Sequence, residues 1–244
     1  MMAAAAMLLG CGAPGVDGAQ ASDAVAVSCR LEASRAEIAA LESLNLRGCG
    51  DIDFRPLWEA TGLRELVLDD PDLEDIRGVA PIRSLQTLRF ERSRVHDLDP
   101  VGPLSGLREL AVLDTPLTNL SPLARVTSLE RLDISDTYVV SLAPLESITG
   151  LKELVAHRTR ISDLRPLLAM PGLEVAGLSE NGVADPRPLL EHPNLARMRI
   201  DLSGNCIDLD DPAVAEAVQA LEEGARAFRL DAQFDACDAE YYYE

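Results

Sequence analysis

Leucine returns along this chain at a constant interval of 22 residues: Leu41, Leu63, Leu85, Leu107, Leu129, Leu151, Leu173 and Leu195. Three residues on stand Leu44, Leu66, Leu88, Leu110, Leu132 and Leu154, then Ala176 and Met198. Five residues on stand Leu46, Leu68, Phe90, Val112, Ile134, Ala156, Leu178 and Ile200. A second apolar set follows at Leu73, Val95, Leu117, Val139, Ile161 and Val183, and a third at Phe54, Ile76, Leu98, Leu120, Leu142 and Leu164. Most units close on a Pro-Leu pair, as at Pro122-Leu123 and Pro166-Leu167, so the repeat reads LxxLxLxxTxLxxLxPLxxxxx. Self-similarity at one period is the mark of a repeat architecture.

Each position has a physical reason. The LxL core alternates with period two, which predicts a short strand with one buried face. One strand per unit, always re-entered in the same direction, predicts a parallel sheet with right-handed crossovers. The later apolar positions dip back into the core from the return path, where Pro fits the first position of a short helical turn. That path is too short for a full helix, so single turns, often 3₁₀, are expected. No unit covers its own leucines, and stacking buries them, each contributing roughly 1.5–3 kcal/mol. The expected fold is α/β: a right-handed solenoid, its parallel sheet on the concave face and its 3₁₀ or helical turns on the convex face. Eight strands about 4.8 Å apart give a stack roughly 34 Å long.

The unit resembles the 22-residue leucine-rich repeat of bacterial internalins and related surface proteins, over residues 41–208. That family often places Asn after the strand, where its side chain bonds neighbouring backbone. Here the position holds Cys49, Pro71, Ser93, Thr115, Thr137, Thr159 and Asn181. Ser and Thr hydroxyls are expected to do the same bonding more weakly. Pro71 cannot, which makes the turn after the second strand the expected irregular coil. From Ile200 to Ile207 the chain fits the unit better when shifted by two residues, which argues for a longer sixth-to-seventh connection. Flanking the repeats, residues 28–40 read as an N-terminal cap with helix-favouring composition. Residues 209–244 read as a C-terminal cap: Asp211-Pro212 opens a helix over Ala213 to Glu223, and Ala227 to Leu230 adds a last strand.

Composition narrows the function. The net charge of −19 leaves no basic face to neutralise phosphates, so nucleic acid is not an expected partner. Residues 1–11 end in Leu9-Gly10-Cys11, which resembles a lipobox with Cys11 as the lipidated residue, although residues 1–10 carry no Lys or Arg. Residues 12–27, rich in Gly, Ala, Ser and Asp, read as the tether behind it. Of the other cysteines, Cys49 and Cys206 fall at opposite ends of the stack, too far apart for a bridge whose Cα atoms sit roughly 4.4–6.8 Å apart. The expected pairs are Cys29–Cys49 and Cys206–Cys237, one in each cap, which implies export to an oxidising compartment. The expected location is the bacterial cell envelope, with membrane contact only through the lipid.

Catalytic chemistry is thin. His96, His157 and His192 occupy different repeat positions without metal-ligand spacing, and each reads as a surface histidine. No phosphate loop, nucleophile elbow or Cys–His pattern appears, so neither enzyme activity nor a cofactor is expected. What remains is the outward face of the sheet, where Arg89, Glu91, Arg131, Asp133, Glu153 and His157 mix both signs of charge. Arginines set among acids there read as anchors for a protein or glycan. The chain is expected to act as a monomeric envelope protein that recognises such a partner on its concave face. The alternative is an intracellular scaffold or regulatory subunit, like the 22-residue-repeat proteins that steer phosphatases.

Overall fold

The computed structural model describes residues 28–29, 34–48 and 51–231. Among them, two helices are present: α1 (Arg35–Ala39) and α2 (Pro212–Gly224). Strands β1 (Ser28–Cys29) and β3 (Asp51–Ile52) form a small parallel pair that the sequence pattern did not announce. The remaining strands are β2 (Ser43–Arg47), β4 (Glu65–Asp69), β5 (Thr87–Glu91), β6 (Glu109–Leu113), β7 (Arg131–Asp133), β8 (Glu153–Val155), β9 (Val175–Gly177), β10 (Arg199–Asp201) and β11 (Ala227–Arg229). They form one nine-stranded parallel sheet in chain order, the eight strands of the repeats and β11, the last strand expected after the C-terminal helix. The fold is a leucine-rich-repeat solenoid.

Register follows the repeat. Leu66 pairs with Leu88, Leu88 with Leu110, Leu110 with Leu132 and Leu132 with Leu154, each step 22 residues. These leucines and their LxL partners Leu68, Phe90, Val112 and Ile134 are fully buried. The step lengthens to 24 residues at β10, where Arg199 faces Val175. The two extra residues therefore precede the eighth strand and not the seventh, and a short 3₁₀ turn, Leu195–Arg197, takes them up. The shift moves Leu195 off the core position. It is partly buried, as is Leu41 at the other end of the series, and its Cδ2 atom lies where a Cβ on Gly224 of α2 would come within 3.1 Å.

The return paths are 3₁₀ turns, with Pro in the first turn at Pro56, Pro100, Pro122, Pro144, Pro166 and Pro188. A polar side chain precedes each turn and accepts the backbone N–H two residues on. Asp53 does so from Arg55, Asp75 from Arg77, Asn119 from Ser121, Asp163 from Arg165 and Asp185 from Arg187. Such Asx turns satisfy donors that the 3₁₀ turn leaves open. Where Arg follows, its guanidinium also clasps the same aspartate and holds the Asp75, Asp163 and Asp185 carboxyls below their ordinary range. The second coil has Gly78 at the Pro position. A Cβ there would fall 2.4 Å from Phe54, so glycine makes room for that ring.

The post-strand ladder differs from expectation. Asn181 behaves as the family pattern implies: its Nδ2 donates to the carbonyls of Ala156 (2.7 Å) and Leu178 (3.2 Å), and its Oδ1 accepts from Ile161 N–H (3.0 Å). Asn205 repeats this against Leu178, Leu202 and Val183. The hydroxyls do not. Thr137 bonds only its own strand's Ile134 carbonyl (2.7 Å), and the buried hydroxyls of Ser93 and Thr115 find no partner. Thr159 does reach the next coil, donating to Asn181 Oδ1 as well as to its own Ala156 carbonyl, but only because a carboxamide stands opposite. At Ser93 and Thr115 no such group extends to meet the hydroxyl. The second coil is irregular as expected, and Asp70 is left out of the left-handed turns described below. A residue before proline is pushed to extended backbone, here by Pro71.

Both ends are capped. Ser34 and Glu37 form a reciprocal capping box on α1, and Ile38 enters the core. Asp211 accepts from Ala213 N–H at 2.8 Å, Pro212 opens α2, and Val214, Ala217, Val218 and Leu221 cover the last coil. Cys206 is disulfide-bonded. Cys11, Cys49 and Cys237 lie outside the described residues, and of Cys29 only the backbone is described. No described helix is long and apolar enough to cross a membrane.

Candidate functional site

The outward positions of β4 to β9 present three parallel rows, because period-two alternation and constant register bring every third outward residue onto one line. The first row runs Glu65, Thr87, Glu109, Arg131, Glu153, Val175 and the second Val67, Arg89, Ala111, Asp133, Val155, Gly177. The third continues past the shorter strands as Asp69, Glu91, Leu113, Ser135, His157, Ser179. Beyond it Arg92, Asp114, Asp136, Arg158 and Glu180 hold φ between 49° and 59°, with Gly48 and Gly204 in the same left-handed region at the two ends. Five non-glycine residues in that conformation store strain. The repeat spacing shows where this turn falls, but nothing in the residue types announces its handedness.

All six candidate residues sit on this face, and the structure corrects how their charges stand. The arginines are paired within the chain. Arg89 meets Glu91 at 3.1 Å, and Arg92 meets Asp69 at 2.7 Å and Glu91 at 3.0 Å. Arg131 bridges two strands, bonding Glu109 and approaching Glu153 at 3.7 Å. Arg158 bonds Asp136 at 2.5 Å and approaches Glu180 at 3.7 Å. The guanidiniums therefore stand in fixed orientations, not as free anchors. Two hollows open between them. One of about 180 Å³ lies over Ala111, walled by Arg89, Arg131, Asp133 and Val155. The other, about 450 Å³, lies over Leu113 and reaches Asp114, His157 and Arg158. Ala111 is the small residue between larger neighbours, which is why the first hollow exists.

His157 packs its ring over Gly177, where a Cβ would come 2.9 Å from the imidazole. Its Nδ1 accepts from Ser179 N–H (3.2 Å) and lies 2.7 Å from Ser179 Oγ. The His157 backbone N–H donates to Ser135 Oγ, which donates to Asp133. A nucleophilic pair needs a third group that orients the base, and among the described residues no carboxylate bonds His157. This chain of hydrogen bonds positions a surface. No described cluster of three His, Cys, Asp or Glu could hold a metal ion.

His192 is not a surface histidine. It is buried, with Nδ1 accepting from Asn194 N–H at 3.1 Å and Nε2 without a well-formed partner. Burial holds its pKa below the ordinary histidine range, against the opposing pull of the Leu167 and Met170 carbonyls.

The sequence matches no family model and no curated protein. Solved structures do match. An internalin of Listeria monocytogenes superposes with a TM-score of 0.71 at 23% identity, over 82% of this chain and 57% of its own. Internalin C2 of the same organism gives 0.69 at 18% identity, over 83% of this chain and 84% of its own. A leucine-rich-repeat protein of Leptospira interrogans gives 0.68 at 16% identity, over 82% and 51%. The leucine-rich-repeat ectodomain of an Arabidopsis thaliana receptor kinase, solved in complex with Casparian strip integrity factor 2, gives 0.52 at 19% identity, over 67% and 24%.

Proposed function

We propose that this chain is a cell-envelope recognition protein that binds a protein partner on the outward face of β5 to β8. The observation that carries the reading is the prearranged ion-pair lattice around the Ala111 and Leu113 hollows. Charged groups already fixed in place lose little entropy when a partner docks, which favours specific association. The open hollows accept projecting side chains, the usual position of binding anchors. Arg89, Glu91, Arg131, Asp133, Glu153 and His157 form the contact set. The resemblance to surface proteins, with the Leu-Gly-Cys segment, favours anchorage by a lipid on Cys11 and bridges Cys29–Cys49 and Cys206–Cys237. The plant ectodomain solved with its bound factor is a precedent for ligand recognition by this fold.

The test is capture from a bacterial envelope fraction with the full chain carrying Cys11→Ser. A retained protein should be lost with Ala111→Trp, which fills the first hollow without changing charge. Retention by that variant, with loss on substitution at the return turns, would overturn the assignment of the face. Palmitate labelling of the unaltered chain that persists in Cys11→Ser, or never occurs, would remove the lipid anchor. Peptide mapping without reductant tests the two bridges.

A further inference from the structure

A second concavity lies on the opposite side of the molecule, at the N-terminal end of the return turns. It measures about 710 Å³ and opens between the first and second coils. Its wall is Trp58, the chain's single tryptophan, whose side stands 48% exposed where six other coils carry Ala, Gly, Glu or Leu. The indole N–H donates to the Gly78 carbonyl at 3.0 Å, which fixes the ring as a rigid platform with one face to solvent. Large aromatic side chains are normally buried for their area, and a half-exposed one held by a hydrogen bond at a cavity wall is placed for contact.

The polar rim says what would be contacted. Arg55 is clasped by Asp53 at 2.7 Å, Arg77 by Asp75 at 2.5 Å, and Asp72 by Arg94 at 3.4 Å. Positive and negative groups are thus matched in pairs, and a strongly charged ligand finds little unbalanced field. Those pairs still offer lone pairs and N–H groups at fixed positions. Glu74, exposed on the rim, has no partner among the described residues and its carboxylate can accept hydrogen bonds from two hydroxyls at once. A flat apolar face bordered by fixed donors and acceptors, with charge nearly balanced, matches a neutral ring whose one face is C–H and whose edge is hydroxyl. A pocket of several hundred Å³ is the size range of small-ligand sites.

We propose that this pocket is a carbohydrate-binding site for a neutral mono- or disaccharide unit, stacked on Trp58 and hydrogen-bonded by Glu74, with Arg55 and Arg77 as donors. It is separate from the sheet face and does not depend on the function proposed for that face.

The single tryptophan gives a clean readout. The full chain carrying Cys11→Ser would be titrated with maltose, cellobiose, lactose and chitobiose, following indole emission, and screened against an immobilised glycan array. Saturable change with at least one neutral saccharide is expected, with a dissociation constant on the order of 1 mM, as suits an open site with one stacked face. Glu74→Gln keeps the fluorophore and should weaken binding about tenfold, the loss of one charge-assisted hydrogen bond. Trp58→Ala should abolish retention on the array. Tetralysine and benzyltrimethylammonium serve as cationic probes. Saturation by these with none by saccharides would overturn the proposal in favour of a cation site. Silence towards every probe, or saccharide binding unchanged in both variants, would overturn it outright.

Discussion

Replacing Thr115 with Asn should stabilise the protein, and the amount follows from the ladder. Asn181 reaches back 25 residues to the Ala156 carbonyl, 20 residues to the Ile161 N–H, and three to the Leu178 carbonyl. Transposed to position 115, the same carboxamide meets the Phe90 carbonyl, the Val95 N–H and the Val112 carbonyl. Val95 is fully buried, and among the described residues its N–H meets no acceptor, while the Thr115 hydroxyl is itself unpartnered. Each new hydrogen bond contributes about 0.5–1.5 kcal/mol, and an orphaned buried polar group costs about 1–3 kcal/mol. Side-chain ordering and imperfect fit offset part of this, leaving an expected gain of about 1–3 kcal/mol. For a chain of this size that raises the melting temperature by roughly 2–12 °C. Urea unfolding should show a higher midpoint at unchanged slope, and hydrogen exchange should slow at the Val95 amide. The mirror substitution Asn181→Thr should cost a similar amount. A Thr115→Asn protein no more stable than its parent, with Val95 exchange unchanged, would refute the reasoning.

Gly78→Ala should destabilise by about 1–3 kcal/mol through overpacking against Phe54, and Phe54→Leu in the same chain should restore little of the loss, because the contact is made by Cβ and Cγ, which leucine keeps; denaturant midpoints measure both. His192 should make stability fall on acidification: its folded pKa lies below the unfolded 6.5, so protons favour the unfolded chain once pH drops beneath 6.5. The slope is bounded at about 1.4 kcal/mol per pH unit and should flatten in His192→Asn, whose Oδ1 can still accept the Asn194 N–H. Arg131→Glu sets three carboxylates side by side on adjacent strands. It should cost about 1–2 kcal/mol at low salt, much of it regained in 1 M salt or on adding Glu109→Arg.

The solenoid was legible because burial is periodic: every fully covered leucine from Leu63 to Leu173 stands where a 22-residue frame puts it. The start of the C-terminal helix was legible too, since Asp211 and Pro212 act locally, whereas the Ser34–Glu37 capping box went unread. What depends on distance between coils was not. The reach of a hydroxyl against that of a carboxamide separates Thr115 from Asn181, and only atomic spacing shows it. Likewise the residues of the sheet face could be read off alternation, but not that Arg131 is spent on Glu109 and Glu153. His192 was read from its residue type, yet Leu104, Val126, Ile148 and Met170 hold its position in other units and all are buried, so the 22-residue frame did carry the signal. The Trp58 pocket was missed because it joins two coils on the side where the repeat pattern carries no outward-facing signal.

The uneven ladder also bears on how the molecule comes apart. In a linear array each coil is held only by its neighbours, so total stability is a sum over successive interfaces. Asn181 and Asn205 stitch the C-terminal coils together, and α2 closes them, whereas the interfaces above Ser93, Thr115 and Thr137 lack that stitch. The weak links are therefore internal. Under strain such an array parts at a seam, leaving two stacks, instead of peeling from one tip. The Leu132 to Leu202 block would then persist as a folded remnant, and protease cleavage would concentrate in the turns between residues 92 and 138.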